Sequence, residues 1–291
     1  MVGGEQLRKI RLGTPFILRS VDPPISETFG KTVVQLRRIG KRVVFELEGD
    51  LYIVIHLMIA GRFHWKKPDA KLTGRISHAA LDFPSGTLLL TEASSKKRAS
   101  MHIIKGAAGL AQFDRGGLEV LEADEHSFKE ALLRENRTLK RALTDPRLFS
   151  GIGNSYSDEI LHHAKLSPLK LSTALTREEV SRLFNSTVII LTEWTDRLRS
   201  ELAGRFPEKV TAFRDDMAVH GRFGKPCPEC ETAVQQIVYA ENECNYCPRC
   251  QTGGKMLSDR SLARLLKGDW PKTIDELEQG EQRQGGTQGM H

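Results

Sequence analysis

The sequence has no apolar run long enough to span a membrane, opens on no signal peptide and contains no internal repeat. The first absence excludes a chain threaded through a bilayer by helices. The second predicts a cytosolic chain whose thiols stay reduced. Cysteine is scarce at five in 291 residues, yet all five are concentrated in Lys225 to Gln251, KPCPECETAVQQIVYAENECNYCPRCQ.

Within that stretch Cys227/Cys230 and Cys247/Cys250 form two Cys-x-x-Cys pairs separated by sixteen residues. Each pair is a tight turn that aims two thiolates at one point. Two such turns meeting across a hairpin make the closed tetrahedral site that a structural Zn2+ prefers. Two disulfides are the alternative, and a reducing compartment disfavours them. Cys244 adds a third pair with Cys247, so spacing alone leaves the register of the second turn open. Pro248 suits the turn at Cys247/Cys250, leaving Cys244 as a free thiol. Gln236 to Ala240 reads as a short strand and Glu241 to Asn245 as a polar turn.

The charge is uneven. The chain carries net +6 with a pI near 9.1, but residues 1–120 hold 19 Lys/Arg against 11 Asp/Glu and the remainder 24 against 26. A polyanionic partner would sit against the first part of the chain; an ordinary solvated basic surface gives the same count. Strand patterns run over about 31–38, 42–48 and 51–57, then Ser77 to Phe83, Thr87 to Glu92 and Ser100 to Ile104, which together predict a β-sandwich. Helical spacing follows from about Asp124 to Thr144 and from Ser155 to Ala164. A longer helix is expected from the Thr176-Arg-Glu-Glu capping signature to about Ala203, and shorter ones at Pro207 to Met217 and Ser258 to Leu266. The Gln/Gly-rich tail from Glu278 has the composition of a disordered segment.

Two further stretches carry chemistry. In GIGNSYSDEI (151–160) two glycines allow close backbone approach, and the following helix points unpaired N–H groups at whatever lies there, as a phosphate site requires. Asn154 at its mouth either caps the helix or donates to a phosphate oxygen. In RRIGKR (37–42) Lys41 stands between two strands, either on a solvated turn or held towards a groove.

The chain resembles the formamidopyrimidine-DNA glycosylase/endonuclease VIII family of base-excision repair enzymes. The residues that carry the resemblance are IGKR (39–42), HLMIAGR (56–62), LTDPRLFSGIGNSYSDEIL (143–161), SPL (167–169), VHGRFGKPCPEC (219–230) and CPRCQ (247–251). It implies an α+β fold: an N-terminal β-sandwich (1–122), a helix-two-turn-helix domain (123–218), a C-terminal zinc-finger β-hairpin (219–252) and an extension (253–291) of unassigned role. It implies double-stranded DNA with damaged bases or abasic sites as partner, lying between two lobes with the damaged nucleotide flipped out. It also implies a monomer, no membrane, and a cytoplasmic, nucleoid-associated place of action.

By the same resemblance Cys227, Cys230, Cys247 and Cys250 are zinc ligands, Lys41 contacts phosphate or lesion, and Asn154 clamps a phosphate. The segment from His56 to Gly61 supports the DNA and helps to fill the gap left by the flipped base. Three departures qualify this. The family opens with a proline amine that attacks C1′ and a glutamate acid, on a helix of roughly twenty residues. This chain opens Met-Val-Gly-Gly-Glu, and Glu5 is no substitute on sequence grounds. A start placed too far downstream is the preferred reading, loss of the helix the alternative. Second, Asn242 stands where the family has an arginine on the zinc hairpin, so phosphate clamping weakens unless Arg249 or Lys255 compensates. Third, the family's void-filling Arg-and-Phe loop has no match; Ser94 to Arg98 offers charge without an aromatic wedge.

The expected function is therefore a DNA glycosylase with abasic-site lyase activity on oxidised bases. The alternative is a non-catalytic protein that binds damaged or abasic DNA. A zinc-finger transcription factor fits less well, since the hairpin lacks a recognition helix for the major groove.

Overall fold

Alternating apolar residues between Lys31 and Lys105 build two antiparallel sheets in the computed structural model, which describes residues 2–208, 210–211, 213–239, 242–258, 271–277 and 279. The strands are β1 (Gln6–Leu7), β2 (Lys9–Leu12), β3 (Lys31–Ile39), β4 (Arg42–Leu47), β5 (Leu51–His56), β6 (Gly61–Lys66), β7 (Ser77–Asp82), β8 (Thr87–Glu92) and β9 (Ser100–Lys105). One sheet has the order β1-β3-β4-β5-β9, the other β2-β7-β8-β6. With side chains alternating between faces, Phe45, Leu47, Ile53, Ile55, Met101 and Ile103 of the first sheet share a core with Ala79, Leu81, Leu88 and Leu90 of the second. The opposite face of the first sheet buries Val44, Tyr52 and Val54 beneath Leu110 of α1 (Ala107–Ala111). This is the expected β-sandwich, with three strands that were not expected. β1 and β2 are too short for a pattern to declare itself. β6 is rich in polar residues, and only Phe63 and Trp65 turn inward.

The helical part comprises α2 (Glu125–Leu133), α3 (Leu139–Thr144), α4 (Asn154–His163) and α5 (Arg177–Leu202) around a core of Phe128, Leu132, Leu143, Phe149, Leu161 and Leu183, among others. The single helix expected from Asp124 to Thr144 is interrupted. Ser172 N donates to the Arg137 carbonyl at 2.8 Å and Leu139 N to the Lys170 carbonyl at 2.8 Å, so long-range pairing replaces the helical ladder there. The capping signature at Thr176 is realised: Glu179 N donates to Thr176 Oγ1 at 3.2 Å and Thr176 N to Glu179 Oε2 at 2.9 Å.

The helix expected over Pro207 to Met217 is absent among the described residues. Glu208 is used instead to dock this strap on β6. Its carboxylate accepts from Trp65 N at 3.2 Å and bonds His64 Nδ1 at 2.8 Å, while Phe206 packs on Trp65. The expected helix at Ser258 to Leu266 and the tail from Glu278 fall largely outside the described residues.

By compactness the chain divides into two units, residues 1–116 with 198–210, and 117–197 with 211–291. The second unit also holds a hairpin of β10 (Gln235–Tyr239) and β11 (Asn242–Tyr246), closed by α6 (Pro248–Thr252). The polar turn expected at Glu241 to Asn245 is therefore mostly strand. Gln235 pairs with Tyr246 and Ile237 with Cys244, and Cys244, Asn245 and Tyr246 are all buried, which a solvated turn would not allow.

Candidate nucleic-acid interface and metal centre

The turn before α4 needs glycine at Gly151, whose φ is +80°. The first turn of α4 carries no acidic side chain to oppose an anion. Asn154 is the first residue of α4 and does not cap it. Its Nδ2 donates instead to the Glu243 carbonyl of β11 at 2.8 Å.

Beneath this surface lies a buried polar network. Lys140 Nζ of α3 donates to the Asn154 carbonyl at 2.6 Å, Ser157 Oγ at 2.8 Å and Asp158 Oδ1 at 2.6 Å. The other oxygen of Asp158 bonds His220 Nδ1 at 2.8 Å and accepts from Asn245 N at 3.2 Å. Next to it, Glu159 accepts three backbone N–H groups, those of Ala218, Val219 and His220, at 2.7 to 3.0 Å. Two adjacent carboxylates of α4 thus fasten α3, the segment 218–220 and β11 to one helix. The buried carboxylates are tolerated because Asp158 is paired with Lys140 and Glu159 accepts three backbone N–H bonds.

The thiols of Cys227, Cys230, Cys247 and Cys250 converge, with all four sulfurs within 4.8 Å of one another. Sγ–Sγ separations are 3.4 Å for Cys230–Cys247, 3.5 Å for Cys230–Cys250 and 3.9 Å for Cys227–Cys250. A tetrahedral site with metal–sulfur bonds of about 2.3 Å requires sulfurs about 3.8 Å apart, so the donor set fits Zn2+. Burial works against ionising Cys230, but hydrogen bonds from Thr232 and the neighbouring thiols outweigh it and bring the group down to about 6. Cys250 is pushed up to about 11 and Cys247 is pushed up as well, chiefly by burial. One negative charge is easily placed here and further ones are resisted, a conflict that a divalent cation removes. Cys244 lies outside the cluster on β11, where burial and then the charge of Asp158 push its thiol up.

In the first unit Lys41 lies in the turn between β3 and β4 after Gly40, whose φ is +57°. Arg42 pairs across the sheet with His56, so Lys41 and His56 mark one end of it. His56 is half-buried, and burial followed by the charges of Arg42 and Lys41 lowers its pKa. Beyond it Leu57 to Gly61 form a tight turn: Gly61 N donates to the Leu57 carbonyl at 2.9 Å and Arg62 Nη1 to the Ile59 carbonyl at 2.9 Å. Met58, with φ +55°, and Ile59, 73% exposed, stand at its tip.

The first 98 residues match the formamidopyrimidine-DNA glycosylase N-terminal domain, and residues 118–200 match the H2TH (helix-two-turn-helix) domain of formamidopyrimidine-DNA glycosylase. An uncharacterized formamidopyrimidine-DNA glycosylase-like protein of Mycobacterium tuberculosis is 35% identical over 160 residues, 55% of this chain and 99% of that protein. The formamidopyrimidine-DNA glycosylase of Heliobacterium modesticaldum is 30% identical over 231 residues, 76% of this chain and 83% of its own length. This chain belongs to the formamidopyrimidine-DNA glycosylase family. Lactococcus lactis Fpg solved with a Fapy-dG-containing DNA aligns at TM-score 0.74 and 26% identity, over 86% of this chain and 94% of that one. The same enzyme with an abasic-site DNA aligns with the same values.

Of the residues expected to serve a glycosylase of this family, the fold brings Lys41 and His56 to one sheet end in the first unit, and Asn154 to the thiolate hairpin in the second. Asn242 opens β11, and its side chain lies outside the described residues. Arg249 is engaged by Asp275 at 2.8 Å, which offsets the charge expected to compensate for the missing arginine. Sequence reasoning passed over Lys140, Asp158, Glu159 and His220. The available signal was the pair Asp158-Glu159 directly before Ile160-Leu161, two carboxylates on a stretch that has to be buried.

Proposed function

We propose that the chain recognises damaged or abasic double-stranded DNA through its phosphates and serves base-excision repair as a DNA glycosylase with abasic-site lyase activity. The bond from Asn154 to the Glu243 carbonyl carries the reading: it sets the start of α4 and the thiolate hairpin as one surface. An amide nitrogen has two hydrogens. One is used here, and the second can reach a phosphate oxygen. Lys41, beside His56, would supply charge from the sandwich, and Ile59 an exposed apolar tip for the space vacated by a flipped base. Zn2+ held by Cys227, Cys230, Cys247 and Cys250 would brace the hairpin. Four thiolates complete its tetrahedron, so its part is structural. The functional partition proposed is sandwich (1–122), helix-two-turn-helix (123–218), zinc hairpin (219–252) and extension (253–291), acting as a monomer on the chromosome in a bacterial cytoplasm.

A second reading, a binding protein without catalysis, is favoured by one observation. The Glu5 carboxylate is already occupied, accepting from Ser85 Oγ at 2.5 Å and Ser85 N at 3.2 Å. Borohydride reduction of this chain on an abasic-site duplex separates the two. A trapped covalent adduct supports a Schiff-base enzyme. Binding without an adduct supports the second reading for this chain, and neither binding nor adduct would overturn both.

A further inference from the structure

α4 reaches the thiolate cluster as well as the candidate phosphate surface. His162, eight positions after Asn154 on the same helix and 2% exposed, places Nε2 3.3 Å from Cys227 Sγ. Cys227 is 1% exposed. The other ring nitrogen, Nδ1, faces Glu229 Oε1 at 3.7 Å, too far for a direct hydrogen bond, and the second oxygen of Glu229 is paired with Lys165. The short contact is therefore at Nε2, and the group it meets is a sulfur. A ring N–H is a donor and a metal-bound thiolate is an acceptor with no hydrogen of its own. Hydrogen bonds to an ionised acceptor are the stronger class, and more so away from water.

We propose that His162 is a positioning residue of the metal centre, donating Nε2–H to the Cys227 thiolate and so coupling metal retention to the helix that carries Asn154. The inference rests on the zinc reading above. It assigns His162 no place among the ligands, because the four sulfurs already close the site. The donor removes electron density from one thiolate and fixes its rotamer, while Asp158 and Glu159 fasten the same helix to β11 and to residues 218–220. Partners of this outer kind change metal affinity by about 10- to 100-fold when removed.

The test uses the full chain, with zinc affinity measured by competition against a chromophoric chelator and with Co2+ substituted for a spectroscopic readout. The unsubstituted chain should hold one zinc. His162→Phe, which keeps a flat ring and loses the donor, should bind zinc about 10- to 100-fold more weakly and shift the thiolate-to-cobalt charge-transfer band. His162→Gln, whose amide nitrogen reaches towards the position of Nε2, should recover most of the affinity and the band. A role in packing alone would lower the melting temperature of both variants and leave the band where it was. If His162→Phe does not fold, the shorter His162→Asn, polar but out of reach of the sulfur, takes its place against His162→Gln. Wild-type affinity and an unmoved band in the donor-less variant would overturn the inference. A wild-type chain that takes up no zinc would overturn the reading on which it rests, and is seen before any variant is made.

Discussion

Asn154 donates its side-chain amide to the backbone carbonyl of Glu243 at 2.8 Å, joining the first residue of α4 to the second strand of the thiolate hairpin. The two segments are 89 residues apart in sequence. Neither could present a defined surface alone: a helix start frays, and a two-stranded hairpin is marginal in water. Joined, and braced from below by Lys140 and Asp158, they hold a donor in a fixed direction.

Asn154→Ala should weaken binding to an abasic-site duplex by about tenfold, the loss of roughly one hydrogen bond to a charged acceptor, with little change in salt dependence. Lys41→Ala should weaken it too, and should also reduce the slope of log Kd against log salt by about 0.9, since one released counterion is lost. Fluorescence anisotropy at several salt concentrations reads both. Equal slopes for the two variants would remove Lys41 from the phosphate contacts.

Lys140→Met should destabilise the second unit by about 3–5 kcal/mol, because it strips the buried Asp158 carboxylate of its cationic partner. Adding Asp158→Asn should cost less than the sum of the single changes. Urea denaturation followed by fluorescence measures both. Additive losses would show that the contact at 2.6 Å carries no coupling.

Stability of the first unit should fall as pH drops from 7.5 to 5.5. Burial is the first cause that lowers the pKa of His56, His78 and His102, followed by Arg42 and Lys41 for His56, Lys97 for His78, and Arg42 and Arg19 for His102. At His78 the nearby Glu92 opposes the shift. A group whose folded pKa lies below its unfolded value of about 6.5 contributes stability at pH above that value. The contribution is lost as the unfolded chain takes up protons first on the way down. Carboxylates remain ionised through this window. Thermal melts at the two pH values, with His78→Gln giving a shallower dependence, check it. A melting temperature that rises on acidification would contradict it.

Much of this architecture was legible where spacing is itself the constraint. Two Cys-x-x-Cys pairs, with Pro248 favouring Cys247/Cys250 for the second turn, pointed to the four sulfurs that converge, and Thr176 with Glu179 spell a reciprocal cap that formed as written. β-branched runs such as Leu51 to Ile55 have no comfortable place outside a core. What stayed hidden depends on partners distant in sequence. The break between α2 and α3 exists because residues 170–172 pair with it, and Glu208 stays out of a helix because β6 offers it His64 and the Trp65 N–H. Asn242 to Tyr246 reads as a polar turn until burial against α4 is known. Lys140 is the plainest case, since nothing local distinguishes a lysine that will be buried from one on the solvated face of a short helix.

The central claim is that the joined surface of α4 and the thiolate hairpin selects damaged duplex DNA. Equilibrium binding of the zinc-loaded chain to an abasic-site duplex, to an undamaged duplex of the same sequence and to heparin, at one ionic strength, tests it most directly. The account predicts tightest binding to the abasic-site duplex, by about tenfold or more over the other two, the worth of one or two fixed contacts. Equal affinity for all three would contradict it.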